Sequence, residues 1–244
     1  MSVAALAEQI VARAGGRAGG RRPFLVGLTG AVAAGKSTLA AALAEAIGAG
    51  GQTVEIVSTD GFLRPNADLD AAGLTRRKGF PETYDLAALD RALIAIRRGP
   101  AEFPVYSHVT YDVDPALARR LHPPDLLIVE GLALFADTAV DLLIYLQADE
   151  ADLEAWFVER FLGFWRAAAD DPTSFYARFS HLDAAGAAAL ARAVWASVNL
   201  PNLRENIAPV REASDLVVRK GADHAILEIL SGGRSRFGES APPG

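Results

Sequence analysis

One stretch, residues 23–47, constrains the fold more than any other, because an apolar run leads through a glycine-bracketed loop into a helical pattern. The apolar run is 24–29, and the helical pattern places Leu39, Leu43 and Ile47 on one face. The spacing G-x-x-x-x-G-K-[ST] and its flank are carried by Gly30, Ala31, Val32, Ala33, Ala34, Gly35, Lys36, Ser37 and Thr38. A strand before this spacing and a helix after it predict a phosphate-binding loop.

Each residue type in the loop has a physical reason. Glycine has no Cβ, so backbone N–H groups can turn inward around phosphates, and the following helix points its positive N-terminus at the same anion. Lys36 is predicted to reach the β- and γ-phosphate oxygens of a nucleotide, and the Ser37 hydroxyl to bind Mg²⁺. The alternative is a glycine-rich turn that precedes a lysine by chance, which would require both flanks and the full spacing to coincide. Lysine is rare here, with three residues against twenty-one arginines.

Composition bounds the class of protein. The chain has 244 residues, 51% of them hydrophobic, which suits one α/β domain. The net charge of −6 gives no general drive toward nucleic acid or an anionic membrane, and the absence of cysteine excludes disulfides and thiolate metal sites. The start lacks the basic region of a signal peptide, so a cytoplasmic protein is expected. The apolar window 126–146 contains three acidic residues and is interpreted as two buried strands rather than a membrane span.

Strand and helix patterns alternate along the chain, which predicts a P-loop kinase fold of the α/β class, with a mostly parallel sheet and helices on both faces. An N-terminal helix and flexible lead (1–22), a single domain (23–230) and a disordered tail (231–244) are expected. The patterns predict strands at 53–58, 126–131, 141–146 and 215–219, helices at 85–98, 150–166 and 183–198, a hairpin or extended segment at 102–114 and an irregular loop at 66–81.

Two carboxylates follow predicted strands, at the sheet edge where α/β folds bind ligands. Glu130 ends an apolar strand and could hold Mg²⁺ or its waters, or could be an acid that faces solvent. Asp60 could accept the proton of an acceptor hydroxyl, or could be a turn aspartate beside Gly61.

Cations and rings supply further candidates. Arg160 and Arg166 lie on one predicted helix and could reach a γ-phosphate as part of a lid, although helical arginines are usually solvated. Lys78, in a loop cluster, could bind an anion or be a surface residue. The aromatic side chains of 156–176 could be core or the wall of an acceptor pocket. Asn199 and Asn202 could bind an acceptor or cap a turn, and His122, His181 and His224 are taken as structural or surface residues.

The order of motifs resembles the type I (bacterial) pantothenate kinases, within the phosphoribulokinase and uridine kinase group of P-loop kinases. The resemblance runs from about Pro23 to about Leu230. It is carried by the loop 30–37 and by the segments 58–66, 77–85, 104–112, 124–132, 156–161, 171–175 and 199–207.

The resemblance implies roles for particular residues. Asp60 would be the catalytic base, and Lys36, Ser37 and Arg160 would bind the phosphates and Mg²⁺. Lys78 would line the entrance of the active site. The residues implied to face pantothenate or to form its apolar wall are Tyr106, His108, Tyr111, Phe157, Phe161, Phe164, Phe175, Tyr176 and Asn199.

This chain departs from the family pattern at several positions. Ala133 stands where the family commonly has asparagine, Phe157 where a pantothenate-contacting tyrosine is usual, and Ala41 where a basic residue tied to coenzyme A feedback is expected. The N-terminal extension is also shorter than usual. A homodimer and feedback by coenzyme A are therefore left open.

The expected function is ATP-dependent phosphorylation of the primary hydroxyl of pantothenate, the first step toward coenzyme A. One alternative is a kinase of the same fold that acts on a nucleoside or a sugar. Another is a nucleotide-binding regulator without catalysis, which the full set of candidate residues disfavours. A GTP-dependent switch is disfavoured because the N-K-x-D guanine signature is absent.

Overall fold

The computed structural model describes residues 2–15 and 23–234. Its strands are β1 (Phe24–Gly30), β2 (Val54–Ser58), β3 (Ala101–Ser107), β4 (Asp112–Leu121), β5 (Leu126–Glu130), β6 (Leu142–Gln147), β7 (Leu216–Lys220) and β8 (Ile226–Ser231). The main sheet has the order β2–β5–β1–β6–β7–β8, and β3 pairs with β4 as a separate antiparallel hairpin. Within the main sheet, β8 is antiparallel to β7 and the other pairs are parallel.

The helices are α1 (Val3–Gly15), α2 (Lys36–Gly48), α3 (Asn66–Ala71), α4 (Leu86–Ile96), α5 (Glu150–Ala167), α6 (Ala184–Val194) and α7 (Leu200–Asn202). α1 packs against α2, and α5 packs against α6. The predicted fold class, a mostly parallel sheet with helices on both faces, is confirmed.

The core lies along the central strands. Every residue of β1 and β5 is buried, as expected of strands covered on both faces. Leu127, Ile128 and Val129 of β5 are wholly buried, and each such side chain stabilises the fold by about 1.5–3 kcal/mol relative to exposure. The apolar window at 126–146 forms β5, a connection and β6, as predicted, and no helix among the described residues is long and apolar enough to cross a membrane.

The strand register brings the candidate residues to one edge. Glu130, the last residue of β5, pairs with Leu28 of β1 on one side and with Ser58 of β2 on the other. Because these strands are parallel, the loop after β1, the turn after β2 and the end of β5 meet at their carboxyl edge.

Three segments differ from the prediction. The stretch 66–81, predicted as an irregular loop, contains α3, which is held by the buried Leu69. The hairpin extends to Leu121 rather than 114, because β4 pairs along the whole of β3. The last helix does not end at 198, because two π-helical turns, Trp195–Asn199 and Leu203–Ile207, flank α7 and prolong it.

Both chain ends bear on the predicted domain limits. α1 falls within the predicted N-terminal helix, while the lead at 16–22 lies outside the described residues. Ser231 is the last residue of β8, so the limit drawn after residue 230 falls inside a strand. Residues 235–244 of the predicted tail are also outside the described part, and the division into segments stays a prediction.

A glycine in the turn after β2 gives a first testable prediction. A Cβ on Gly61 would lie 2.0 Å from the carbonyl oxygen of Pro104, which is backbone and cannot rotate away. We expect Gly61→Ala to lower the free energy of unfolding by about 1–3 kcal/mol, the usual cost of overpacking. Gly163, exposed within α5 with open space around its Cα, is the control, and Gly163→Ala is expected to raise stability by about 0.5–1 kcal/mol. Equal urea midpoints for the two variants would contradict this reading.

Candidate active site

A cavity of about 1060 Å³ opens at the carboxyl edge of the central strands. The end of the phosphate-binding loop, Asp60 and Glu130 line it on one side, and α5 with the hairpin turn lines it on the other. Its position matches the expectation for α/β folds, in which ligands bind beyond the carboxyl ends of the strands.

The loop between β1 and α2 has the backbone that phosphate binding requires. Gly30 and Gly35 have φ angles of 145° and 82°, which disfavour any residue with a Cβ, and Ala33 has a φ of 64°. The N-cap residue of α2 is Gly35, which has no side chain to cap the helix, so the first N–H groups of α2 can bind an anion in the loop. The loop is therefore a cradle for an anion, and the positive N-terminal end of the helix dipole attracts that anion.

Lys36 is buried within this cradle. Its ammonium group donates to the carbonyls of Gly30 at 3.1 Å and Ala31 at 2.8 Å. Burial lowers its pKa, while the nearby Glu130 and Asp60 carboxylates act in the opposite direction. The group is a point charge at the loop, and its predicted contact with phosphate oxygens stays a prediction.

Ser37 and Glu130 are in contact. The Ser37 hydroxyl donates to Glu130 Oε1 at 3.1 Å, and burial raises the pKa of the Glu130 carboxyl. These hard oxygen donors fit Mg²⁺, which usually takes one or two protein ligands and completes its shell with phosphates and waters. The described residues contain no cluster of three acidic, histidine or cysteine side chains that could hold a metal alone, so the phosphates of a nucleotide would have to share the ion.

Asp60 lies in the turn that follows β2 and lines the cavity. Its backbone N–H donates to the Ser58 hydroxyl at 3.2 Å, and its Oδ1 accepts from the hydroxyl of Tyr84 at 3.2 Å. The first bond stabilises the turn, and the second holds the carboxylate from another segment of the chain.

Arg160 and Arg166, both on α5, are separated by the structure. Arg160 lines the cavity, with its guanidinium carbon 5.4 Å from the centre of the Phe164 ring. Arg166 is exposed in the last turn of the helix. Of the two arginines considered for a lid, Arg160 is the one that faces the site.

The rings from α5 and the following segment form a wall of the cavity. His108 stacks on Phe164 with 5.8 Å between ring centres, and Tyr111 stacks on Phe175 at 4.2 Å, so the hairpin turn is fastened to this wall. The predicted ring residues that line the cavity are Tyr106, His108, Tyr111, Phe157, Phe161, Phe164, Phe175 and Tyr176. Some also belong to a small apolar cluster behind the wall, so these rings are both cavity lining and local core.

Lys78 lines the cavity and joins its own segment to two others. Its ammonium group donates to Asn66 Oδ1 and to the carbonyl of Tyr111, both at 2.6 Å. It also lies 4.9 Å and 4.4 Å from the ring centres of Tyr106 and Tyr111. Burial lowers its pKa to about 8, so it is a cation that titrates close to neutral pH.

The two asparagines near the π-helical turns have different environments. Asn202 donates from Nδ2 to the carbonyl of Gly79 at 2.8 Å and accepts from Asn206, which ties the helix to the Lys78 segment. The Nδ2 of Asn199 is buried and has no hydrogen-bond partner among the described residues, and the residue lines the cavity. Asn199 therefore keeps an unpartnered donor buried beside the cavity, whereas the amide of Asn202 is used within the protein.

Tyr84, Lys220 and His224 are among the cavity residues that were not found from the sequence. Tyr84 binds Asp60, as described above, and Lys220 donates to the carbonyl of Ala34 in the loop at 2.9 Å. His224, taken as a structural or surface residue, is exposed but lines the cavity and stacks on Trp156 at 4.0 Å. Lysine is rare in this chain, which could have drawn attention to Lys220. The same rarity applies to Lys36, so it does not single out Lys220.

Comparison with known proteins is consistent with this geometry. The model of the Phosphoribulokinase / Uridine kinase family matches residues 25–160, more than half of the chain. The chain belongs to this family. It is 42% identical over 222 residues to a pantothenate kinase from Clavibacter sepedonicus, a match covering 85% of this chain and 70% of that protein. It is 44% identical over 228 residues to a pantothenate kinase from Sorangium cellulosum, covering 88% and 74%.

These relatives confirm the predicted resemblance and the prediction that the protein is a kinase. Among solved structures, a candidate fructose transport system kinase from Silicibacter sp. TM1040 superposes with a TM-score of 0.73 at 29% identity, covering 89% of this chain and 98% of that one. A D-glycerate 3-kinase from Cryptococcus neoformans superposes with a TM-score of 0.64 at 14% identity, covering 94% and 98%, and it shows the shared fold alone.

Proposed function

We propose that this protein transfers the γ-phosphoryl group of ATP to the primary hydroxyl of pantothenate, giving 4'-phosphopantothenate and ADP. One observation carries the proposal: a phosphate cradle, a strand-end carboxylate and a ring-lined wall surround one cavity, in a chain more than 40% identical to pantothenate kinases. This reaction is the first step toward coenzyme A.

The proposed reaction assigns each charged residue a task. The acceptor hydroxyl oxygen forms a bond to the γ-phosphorus while the bond from that phosphorus to the β-phosphate bridging oxygen breaks, and ADP leaves. Asp60 accepts the hydroxyl proton. Lys36 and Arg160 stabilise the negative charge on the transferred group. Residues 30–38 hold the phosphates through their backbone.

Ser37 and Glu130 would hold Mg²⁺, which would supply positive charge to neutralise the phosphates. The fit of these oxygen donors to a hard cation supports this assignment. In this proposal Ser37 and Glu130 would keep Mg²⁺ next to the cradle, and the residues of the cavity wall orient the acceptor.

The wall of the cavity is suited to an acceptor that is polar at its ends and apolar in between. The rings of Phe157, Phe161 and Phe164 offer an apolar surface for the gem-dimethyl group of pantothenate, and the unpartnered amide of Asn199 offers a donor. Tyr106, His108, Tyr111, Phe175 and Tyr176 complete the acceptor site in this proposal, with Lys78 at its entrance.

The test is release of ADP by the purified protein with ATP and Mg²⁺, measured with pantothenate, fructose, uridine or no acceptor. We expect release that depends on pantothenate. Release with fructose or uridine alone would leave the assignments at the cradle in place and reject pantothenate as the acceptor. Binding of ATP with no acceptor-dependent release would indicate a regulator without catalysis.

A sugar is the second candidate acceptor, because one structural neighbour, at 29% identity over 98% of its length, is described as a candidate fructose transport system kinase. The same panel separates the two candidates. Coenzyme A feedback and a homodimer stay open. The exposed Ala41 on α2 offers no cation to a coenzyme A phosphate, so weak inhibition is the result to expect.

The titration of Lys78 gives a pH prediction. With a pKa of about 8, its ammonium group is charged below pH 8 and loses its proton above it. We expect kcat/KM for pantothenate, a carboxylate, to fall above pH 8, by about tenfold at one pH unit beyond that pKa. Lys78→Arg keeps its charge over this range, so its alkaline decline should be absent. The same decline in both proteins would show that another group causes it.

A further inference from the structure

Tyr84 is a buried tyrosine that reaches the carboxylate proposed as the base. It lies between the short turn Pro81–Thr83 and α4, and it is 6% exposed. Its hydroxyl donates to Asp60 Oδ1 at 3.2 Å, from a segment more than twenty residues away in the chain. This contact is outside the loop and the metal-binding residues already described.

The backbone around Tyr84 leaves it little freedom. An antiparallel bridge joins Leu63 to Tyr84, and hydrogen bonds of 2.8 Å run from Arg64 N–H to the Thr83 carbonyl and from Asp85 N–H to the Phe62 carbonyl. The turn that carries Asp60 and the segment that carries Tyr84 are therefore bonded to each other on both sides of the tyrosine. The donor and the acceptor are held as one unit.

The surroundings of the phenol ring are apolar. Leu63, Tyr84 and Ala133 form a small buried cluster, with Leu86 and Phe135 among the side chains packed against it. Burial, and secondarily the charge of Asp60, raises the pKa of the Tyr84 hydroxyl well above its ordinary value. The hydroxyl consequently stays a hydrogen-bond donor over the whole range in which the enzyme could work.

We propose that Tyr84 is a positioning residue for phosphoryl transfer: its hydroxyl binds one oxygen of the Asp60 carboxylate and so directs the other toward the acceptor hydroxyl. This inference rests on the proposed function, in which Asp60 takes the proton. A carboxylate that is free to rotate spends less time in the reactive geometry, and small misplacements of catalytic groups are costly. Tyr84 itself takes no proton from the acceptor.

The test compares Tyr84→Phe with Tyr145→Phe. Tyr145 is another buried tyrosine, on β6, so its variant controls for the loss of a phenol hydroxyl from the core. We expect Tyr84→Phe to lower kcat about tenfold with KM for ATP unchanged, and Tyr145→Phe to leave both unchanged. A kcat for Tyr84→Phe within twofold of the wild type would overturn the proposal.

A double-mutant cycle with Asp60→Ala separates positioning from a general structural effect. If Tyr84 acts through Asp60, Tyr84→Phe lowers kcat no further once the carboxylate is gone. A second drop of the same size would reject the proposal. The wild type is assayed first, so a wrong acceptor is recognised before any variant is compared.

The wild type, Tyr84→Phe, Asp60→Ala and the double variant can also be compared by their urea midpoints, a measurement that needs no turnover. Non-additive midpoint shifts are expected if the hydrogen bond forms in solution. Additive shifts would show that it does not, and would overturn the inference even if the proposed acceptor were wrong.

Discussion

Lys36→Met is expected to lower kcat/KM for ATP by about 10²–10³-fold, because removal of one donor to developing transition-state charge commonly costs that much. The ammonium group lies in the cradle, bonded to the carbonyls of Gly30 and Ala31. Steady-state kinetics with the active acceptor measure the loss.

The stability of the Lys36 variant is the control. Because burial lowers the pKa of Lys36, the charged group is less favourable in the folded protein than in water. Removing it should therefore leave the thermal midpoint unchanged or slightly raised, as at sites where activity is kept at the expense of stability. A variant that lost little activity, or that lost activity only through unfolding, would contradict the role given to Lys36.

Asp60→Asn is expected to lower kcat by about 10²–10⁴-fold, the range for loss of a general base. The amide cannot take the acceptor proton but keeps the shape of the side chain. The affinity for ATP should change little, because the phosphate cradle is formed by a different segment.

Asp90→Asn is the matched control for Asp60→Asn. Asp90 lies on α4 and does not line the cavity. Its substitution removes the same charge as Asp60→Asn does. Its variant should have the kcat of the wild type. Turnover by Asp60→Asn at the wild-type rate would remove this residue from the mechanism.

The phosphate-binding loop was predictable because its signal is local. The spacing of Gly30, Gly35, Lys36 and Ser37, between an apolar run and an amphipathic pattern, defines its own backbone. Glu130 was predictable for a similar reason, since a continuous apolar strand ending in an acid places that acid at the sheet edge.

The acceptor side was predicted largely from the resemblance. Aromatic side chains on α5 are compatible with core or with a cavity wall, and composition does not distinguish the two. Packing of the hairpin turn against the helix, as in the stacking of His108 on Phe164, makes them cavity lining.

Contacts that depend on tertiary packing were missed. Tyr84 and Asp60 meet only because two turns pair through their backbones, and nothing in the local sequence around Tyr84 marks that pairing. Lys220 reaches the loop from the end of β7, two strands from β1 in the sheet, and α3 forms in a polar stretch because Leu69 finds a buried site.

The most direct test of the account is identification of the phosphorylated product by ³¹P NMR. With ATP, Mg²⁺ and pantothenate, the wild type should give one new phosphomonoester in equal amount to ADP, coupled to the protons of the primary carbinol. Asp60→Asn should give almost none. ADP with inorganic phosphate and no phosphomonoester, or a phosphomonoester formed from fructose or uridine but not from pantothenate, would contradict the proposed function.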